Sequence, residues 1–363
     1  MVENIRFKKV NEPFLNKLKE DIKKVSDTED IIVRADKTTN MYRVTKEQYA
    51  KLLHDNTTKN YRVAPEDTYT STNLEAKEIA RGLGLDNRVK IMDRAEAFIT
   101  LKDHKSRFEN DLPCRLINPA KSQIGKVSKA ILDRIICSVK EATKVNLWKN
   151  TQSVIDWFNG IEEKPSHTFV CFDVVDFYPS ITENLLKQAL EFASQFTVIS
   201  KEEKEIILHA RKSLLFVNGR PWMKKTKGMF DVTMGSFDGA EVCELVGTFL
   251  LHHLSKRIEQ SNIGLYRDDG LAVLKDTPGT AADRAKKDVV KIFKSFGLKV
   301  TIDVNIKVTN FLDVTFNLET GKYQPFRKPG DTPLYLNARS NHPPVILKNL
   351  RKAIGNDKKS NGQ

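Results

Sequence analysis

A run of apolar residues ends in an aspartate near the middle of the chain. The run Phe169–Phe172 predicts a buried strand, because four to eight consecutive apolar residues are typical of one. Asp173 follows at once, and Ser180 and Glu183 have the spacing of a capping box that opens the next helix. Asp173 therefore lies between a strand end and a helix start. From its position alone it is either a turn or capping residue or a functional carboxylate.

A second acidic site lies between two apolar stretches at 263–274. The dipeptide Asp269-Gly270 predicts the turn of a β-hairpin, with Asp268 on the strand side of that turn. Asp268 and Asp269 may be read as turn residues only, but two adjacent carboxylates repel each other and a divalent cation would explain the pair. With Asp173 they supply what two-metal phosphoryl transfer requires, namely carboxylates that converge from separate elements. Oxygen ligands favour two Mg²⁺ ions, with Mn²⁺ as a substitute.

Positive charge is concentrated in two parts of the chain. Lys and Arg outnumber Asp and Glu by 13, and segments 101–149 and 321–363 carry +6 and +7 of that excess. Two basic surfaces of this kind are expected of a protein that binds a phosphate backbone. A basic surface that only maintains solubility remains the alternative.

Length and composition exclude several classes of protein. The chain has 363 residues, of which 40% are hydrophobic, so it is long enough for about two domains with a core. We predict a soluble intracellular protein without membrane contact, because no apolar run approaches the roughly 18 residues of a membrane helix and no signal peptide opens the chain. The four cysteines form no C-x-x-C pair, which argues against a zinc site and predicts buried thiols.

Three short motifs occur in an order that resembles a known family. Phe172–Tyr178, Met234–Ser236 and Tyr266–Asp269 resemble motifs A, B and C of reverse transcriptases. The Y-x-D-D form of the third motif is similar to reverse transcriptases, whereas G-D-D is usual in RNA-dependent RNA polymerases. Upstream, Thr100–Lys105 and Arg115–Pro119 resemble the fingers segment that holds the incoming triphosphate.

The resemblance extends toward the C-terminus. Phe311–Val314 with Gly321 resembles the primer-grip hairpin, and 327–344 resembles the reverse transcriptases of Penelope-like retroelements. The resemblance implies an RNA template, a DNA or RNA primer and deoxynucleoside triphosphates as partners. It also implies an RNA-directed DNA polymerase, with an RNA-dependent RNA polymerase or a catalytically inactive nucleic-acid-binding protein as the alternatives.

The resemblance assigns roles to individual residues. Asp173, Asp268 and Asp269 become the metal ligands, and Tyr178 takes the position that screens out a ribose 2′-hydroxyl, although a core tyrosine is the alternative. The other implied nucleotide-binding residues are Lys102, Arg115, Val174 and Gly235. Of the two basic residues, Arg115 is the better phosphate ligand, because its planar fork binds oxygens bidentately.

Two further assignments carry alternatives. Lys307 occupies the position of the lysine that protonates the departing pyrophosphate, and Lys299 competes for the role. The second motif departs from the usual pattern, since Met234 stands where the family has Gln and Gly239-Ala240 where it has Ser-Pro. Asp238 and Glu241 are better explained as an acidic helix N-terminus than as extra ligands.

We predict an α+β right-hand polymerase, in which an antiparallel sheet carries the carboxylates and helices cover its back. The expected divisions are a helical N-terminal extension (1–90), fingers (91–165), a palm (166–335) and a short or truncated thumb or basic tail (336–363). Within the extension, periodicity predicts helices at 13–25, 45–53 and 73–85 and a strand at 31–33. The sequence does not fix the oligomeric state.

Overall fold

The computed structural model describes residues 29–38, 40–82, 84–85, 90–103, 105, 108–225, 228–233, 235–275 and 279–327, together with 19–20 and 22–23. The predicted thumb or tail at 336–363, most of the predicted helix at 13–25, and Met234 lie outside the described residues.

The described chain alternates helices with short strands. In chain order the strands are β1 (Ile31–Arg34), β2 (Met41–Val44), β3 (Tyr61–Val63), β4 (Phe98–Leu101), β5 (Cys114–Ile117), β6 (Asn146–Leu147), β7 (His167–Val174), β8 (Leu215–Val217), β9 (Arg220–Lys224), β10 (Ile263–Tyr266), β11 (Asp269–Lys275), β12 (Val300–Ile306), β13 (Val308–Phe311), β14 (Val314–Asn317) and β15 (Lys322–Pro325). The helices are α1 (Lys46–Asn60), α2 (Thr68–Gly82), α3 (Phe108–Asp111), α4 (Ile124–Thr143), α5 (Thr151–Asn159), α6 (Phe177–Ser180), α7 (Glu183–Ala193), α8 (Lys201–His209), α9 (Gly239–Leu254) and α10 (Gly279–Ser295).

A five-stranded sheet forms the centre of the molecule. Its strand order is β12-β7-β11-β10-β6, and all neighbours are antiparallel except β10 and β6. Helix α9 packs against α4 and α7 in the largest hydrophobic cluster, which also includes Val170 and Phe172 of β7. Strand β7 lies inside the sheet, between β12 and β11, where its apolar run can be buried.

Smaller sheets surround this centre. Strands β1 and β2 form one hairpin and β4 and β5 another, and a bridge between Ala35 and Leu101 joins the two. Strands β3, β9 and β8 form a second sheet, and β13, β14 and β15 a third.

Several local predictions need correction. The N-terminal region is mixed rather than only helical, since its described part holds β1, β2 and β3 beside α1 and α2. Helix α1 ends later than the predicted 45–53, and α2 begins earlier than the predicted 73–85. The predicted capping box is wrong, because Ser180 belongs to α6 and Thr182 caps α7 by accepting a hydrogen bond from the Leu185 amide at 3.1 Å. The prediction of buried thiols holds for Cys243, whereas Cys137 is exposed.

No described helix combines the length and the apolar character that crossing a membrane requires.

Candidate active site

Two of the predicted carboxylates face each other across the central strands. Asp173 is the next-to-last residue of β7, Asp269 is the first residue of β11, and the two are directly paired in the antiparallel register. Directly paired residues project from the same face with Cα atoms about 4.5–5.5 Å apart. Asp268 lies in the adjoining turn, where its carbonyl oxygen accepts a hydrogen bond from the Val174 amide at 3.0 Å. All three aspartates therefore lie at one end of the sheet.

The turn between β10 and β11 differs from the sequence prediction. It is formed by Arg267, which has a left-handed φ of 54°, and Asp268, so Asp268 is a turn residue and Asp269-Gly270 are strand residues. Glycine is required at position 270 by close packing against the neighbouring strand and not by the turn. A Cβ atom at this position would lie 2.0 Å from Cζ of Phe172.

The electrostatics at Asp173 reflect partial burial and the neighbouring carboxylates. Burial, and then the charge of Asp268, raise the pKa of the Asp173 carboxyl, while the ammonium groups of Lys37 and Lys105 oppose the shift. No set of three or more His, Cys, Asp or Glu side chains converges on one point within the described residues, so the fit depends on the facing pair Asp173 and Asp269. Mg²⁺ keeps several waters and is usually held by one or two carboxylates plus substrate phosphates, which this pair matches.

A cavity of about 230 Å³ lies between the β4–β5 hairpin and the segment after β7. It brings together three of the predicted nucleotide-binding residues, Lys102, Arg115 and Tyr178. The remaining lining residues are Asn56, Lys59, Asn60, Tyr61, Cys114, Leu116, Asn118, Asp176, Pro179, Leu215, Asp231, Val232 and Thr233. The charge of Asp176 acts on both Lys102 and Asp173, which places the cavity beside the aspartates.

Two of the three basic residues of the cavity, Lys102 and Arg115, lie just after the end of β4 and near the start of β5. Burial, and then the nearby Arg115 guanidinium, lower the pKa of the Lys102 ammonium. Arg115 Nη1 donates a hydrogen bond to Asp36 Oδ1 at 2.9 Å, and the Arg115 side chain is 30% exposed. Sequence reasoning missed Asp36, because nothing local in its hairpin indicates a partner on another strand.

Tyr178 reconciles the two interpretations that the sequence left open. It lines the cavity, and its ring also packs against the main hydrophobic cluster. Burial, and then the neighbouring Cys243 thiol, raise the pKa of the Tyr178 phenol, so the ring is neutral. A Cβ on Gly239 would lie 2.6 Å from Ser236 Oγ and 3.0 Å from the Thr233 carbonyl oxygen, so glycine is required there by its own turn, and Cε1 of Tyr178 at 3.6 Å would only be in ordinary contact.

Two other predicted nucleotide-binding residues occupy different positions. Val174 is 1% exposed and its amide donates a hydrogen bond to the Asp268 carbonyl oxygen, so its side chain lies in the core and its assignment to nucleotide binding stays a prediction. Gly235 has φ of 98°, a conformation that L side chains rarely adopt, which accounts for glycine at this position. It does not line the cavity.

The acidic residues near the start of α9 are ion-paired. Asp238 is 0% exposed and forms a salt bridge with Arg211, which is itself buried. Glu241 pairs with Lys129. These ion pairs, and not only the helix dipole, account for the two carboxylates near the start of α9. Burial raises the pKa of the Asp238 carboxyl, and Arg211 counteracts this.

The prediction for Lys307 is wrong. Its ammonium donates to the carbonyl oxygens of Pro165 at 2.6 Å and His167 at 2.8 Å, at the start of β7. Six residues of strand at about 3.3 Å each put that point about 20 Å from Asp173. The competing residue, Lys299, lies at the correct end, since its carbonyl oxygen accepts a hydrogen bond from the Val175 amide at 2.9 Å.

Comparison with known proteins shows the fold. No protein-family model matches the chain, and no curated protein sequence matches it. Apo telomerase from Candida tropicalis is similar in structure, with a TM-score of 0.60 at 10% identity over 89% of this chain and 64% of the telomerase chain. Telomerase from Candida albicans, in complex with a TWJ fragment of telomeric RNA, gives 0.58 at 12% identity over 88% and 57%. Candida tropicalis telomerase truncated from its C-terminal domain gives 0.58 at 12% identity over 81% and 63%.

The chain thus spans between 57% and 64% of the length of these telomerase chains. At such identities the similarity concerns the fold alone. It confirms the α+β right-hand polymerase architecture, with antiparallel sheets and a fingers-and-palm arrangement.

Proposed function

We propose that the chain is an RNA-directed DNA polymerase, which adds deoxynucleotides to the 3′-hydroxyl of a DNA or RNA primer paired to an RNA template. The observation that carries this proposal is the facing pair of Asp173 and Asp269 on adjacent central strands, beside the cavity that Arg115 and Tyr178 line. The three motifs resemble those of reverse transcriptases in their residues and in their order along the chain, which supports DNA as the product.

In this proposal the facing carboxylates of Asp173 and Asp269 would hold Mg²⁺, with Mn²⁺ as a substitute, and Asp268 in the adjoining turn would complete the set for two ions. Bound there, two such ions would supply activation of the primer hydroxyl and neutralisation of charge on the triphosphate and leaving group. The aspartates orient the reacting groups at the end of the sheet. Arg115 and Lys102 bind the phosphates from the fingers side of the cavity, and Arg115 does so with a planar fork of donors.

Tyr178 discriminates between sugars by exclusion. Its ring is fixed by packing against the core, so a 2′-hydroxyl on the incoming nucleotide would clash with a group that cannot move aside. We assign the proton for the departing pyrophosphate to Lys299 instead of Lys307, because of these two lysines it is Lys299 that lies at the end of the sheet where the aspartates are.

We further propose that the chain derives from a retroelement of the Penelope-like kind. The segments Arg327–Pro329 and Ser340–Pro344 support this origin by resemblance. The basic segment 101–149 binds the template–primer duplex through phosphates, so binding should weaken steeply with salt.

The test of nucleotide choice is extension of a labelled primer on RNA and DNA templates of the same sequence, with dNTPs or rNTPs and Mg²⁺. We expect dNTP extension on RNA, and rNTP incorporation about a hundredfold slower. Tyr178→Ala should reduce this discrimination to about tenfold or less, because the clash is removed. Tyr178→Phe is the matched control, since it keeps the ring and should keep the discrimination.

Other results would point to the alternatives. Extension with rNTPs only would indicate an RNA-dependent RNA polymerase. If no nucleotide is incorporated with any metal, while the protein still binds an RNA–DNA duplex, the chain is a catalytically inactive binding protein.

A further inference from the structure

The hairpin of β1 and β2 is joined to the fingers strands. Ala35 forms a parallel bridge with Leu101, and the Asp36 amide donates to the Leu101 carbonyl oxygen at 2.7 Å. Val33 and Val44 share one hydrophobic cluster with Ile99 and Leu101. The hairpin therefore continues the fingers structure, although it lies in the segment that the sequence assigned to a separate extension.

The carboxylate of Asp103 fixes the tip of this hairpin. Asp103, which follows β4, accepts hydrogen bonds at Oδ2 from Asn40 Nδ2 at 3.0 Å and from the Tyr42 hydroxyl at 3.0 Å. The Thr38 hydroxyl donates to the same oxygen. Three donors on one charged oxygen hold the tip in a defined position over the loop after β4.

The contact between Asp36 and Arg115 reaches the cavity. The Asp36 side chain is 7% exposed, whereas that of Arg115 is 30% exposed and lines the cavity. Within the described residues, Arg115 is the side chain that hydrogen-bonds to Asp36, and Asp36 Oδ2 has no partner there. Because a guanidinium has five N–H donors, the contact through Nη1 leaves others for a ligand.

We infer that Asp36 is a positioning residue, which holds the Arg115 guanidinium at the cavity wall in the orientation that receives the triphosphate of the incoming nucleotide. The inference rests on the proposed function and assigns the β1–β2 hairpin to the nucleotide site. A long side chain ordered before binding avoids the entropy that ordering it would otherwise cost. Asp36 supplies that order, and its neighbours Thr38 and Asn40 keep Asp36 in place through Asp103.

The test is the KM for dTTP on a poly(rA) template with an oligo(dT) primer. Asp36→Ala should raise KM about tenfold and change kcat by less than about twofold, because ordering one side chain affects binding of substrate and transition state equally. Asp36→Asn keeps an acceptor oxygen but loses the charge, so its KM should lie between those of wild type and Asp36→Ala. Thermal unfolding of each variant verifies folding.

A double-mutant cycle separates positioning from a general structural effect. If Asp36 acts through Arg115, then Asp36→Ala combined with Arg115→Ala raises KM no further than Arg115→Ala alone. Asp30→Ala is the matched control, because Asp30 pairs with Arg43 on the same hairpin, away from the cavity, and should leave KM unchanged. An unchanged KM in Asp36→Ala, or effects that multiply in the double variant, would overturn the inference.

Failure of the proposed function is a separate outcome. If the wild type extends no primer, equilibrium dialysis with labelled dTTP measures the cavity directly. The inference then still requires weaker dTTP binding by Asp36→Ala than by Asp30→Ala, and equal binding would refute it.

Discussion

Gly270 lies where the two central strands are most closely packed, and Gly270→Ala should destabilise the protein. A Cβ there would lie 2.0, 2.1 and 2.6 Å from Cζ, Cε2 and Cδ2 of Phe172. Carbon atoms pack at about 3.5–4.0 Å, so the ring must retreat by roughly 1.5 Å. Phe172 is 4% exposed and packs against Phe293, which leaves it no open space.

We expect a loss of about 3 kcal/mol, the upper part of the range for overpacked cores. For a chain of 363 residues, with an unfolding entropy of about 2.1 cal/mol/K per residue, that corresponds to a fall of about 4 °C in the thermal midpoint, which circular dichroism measures. Because Gly270 and Phe172 directly adjoin Asp269 and Asp173, primer extension below the transition should also slow.

Two controls make the reasoning specific. Gly82→Ala, at the end of α2, meets no atom within 4 Å and should leave stability unchanged or raise it by up to about 1 kcal/mol. Phe172→Ala alone should cost about 3–5 kcal/mol, but adding Gly270→Ala to it should cost little, because the ring is gone. The reasoning is refuted if Gly270→Ala melts within about 2 °C of wild type, or if its cost is the same in both backgrounds.

Three further results are expected. Arg211→Met removes the partner of the buried Asp238 carboxylate and should lower the free energy of unfolding in urea by about 3–5 kcal/mol. The double variant Arg211→Met with Asp238→Leu should recover most of that loss. An equal loss in the single and the double variant would contradict this reasoning. Burial lowers the pKa of the His209 imidazole below its value in the unfolded chain. Its contribution to stability is therefore present above about pH 6.5 and is lost as the pH falls. His209→Gln should flatten the decline in melting temperature between about pH 7 and 5. An unaltered decline would show that His209 does not carry it. Lys299→Ala should slow single-turnover incorporation about a hundredfold and Lys307→Ala should not, with the reverse order favouring Lys307.

Local patterns predicted the central strands and their carboxylates. The apolar run before Asp173 is sufficient for a buried strand, and the observed β7 extends it at both ends. The two apolar stretches around Asp268 are likewise sufficient for a hairpin. Such features depend on neighbours in sequence, which is why they are readable from it.

Features that depend on distant partners were not predictable. The hairpin turn is formed by Arg267 and Asp268, while Gly270 faces the Phe172 ring of the neighbouring strand, a contact that its own segment does not indicate. Lys307 was misplaced because its distance from Asp173 follows from the register of β12 against β7. Asp36 and Arg115 belong to two different hairpins and are 79 positions apart in the chain. Nothing in the sequence of either hairpin indicates that the two side chains form an ion pair.

The central claim is that the aspartates at the end of β7 and β11 carry out nucleotide addition. The most direct measurement is single-turnover extension of a DNA primer on an RNA template with dNTPs and Mg²⁺, for wild type, Asp173→Asn and Asp269→Asn. Asp156→Asn, a carboxylate on the exposed side of α5, is the matched control. We predict extension by the wild type and the control, and a loss of about a thousandfold or more in each of the other two variants. Wild-type rates in Asp173→Asn or Asp269→Asn would contradict the account.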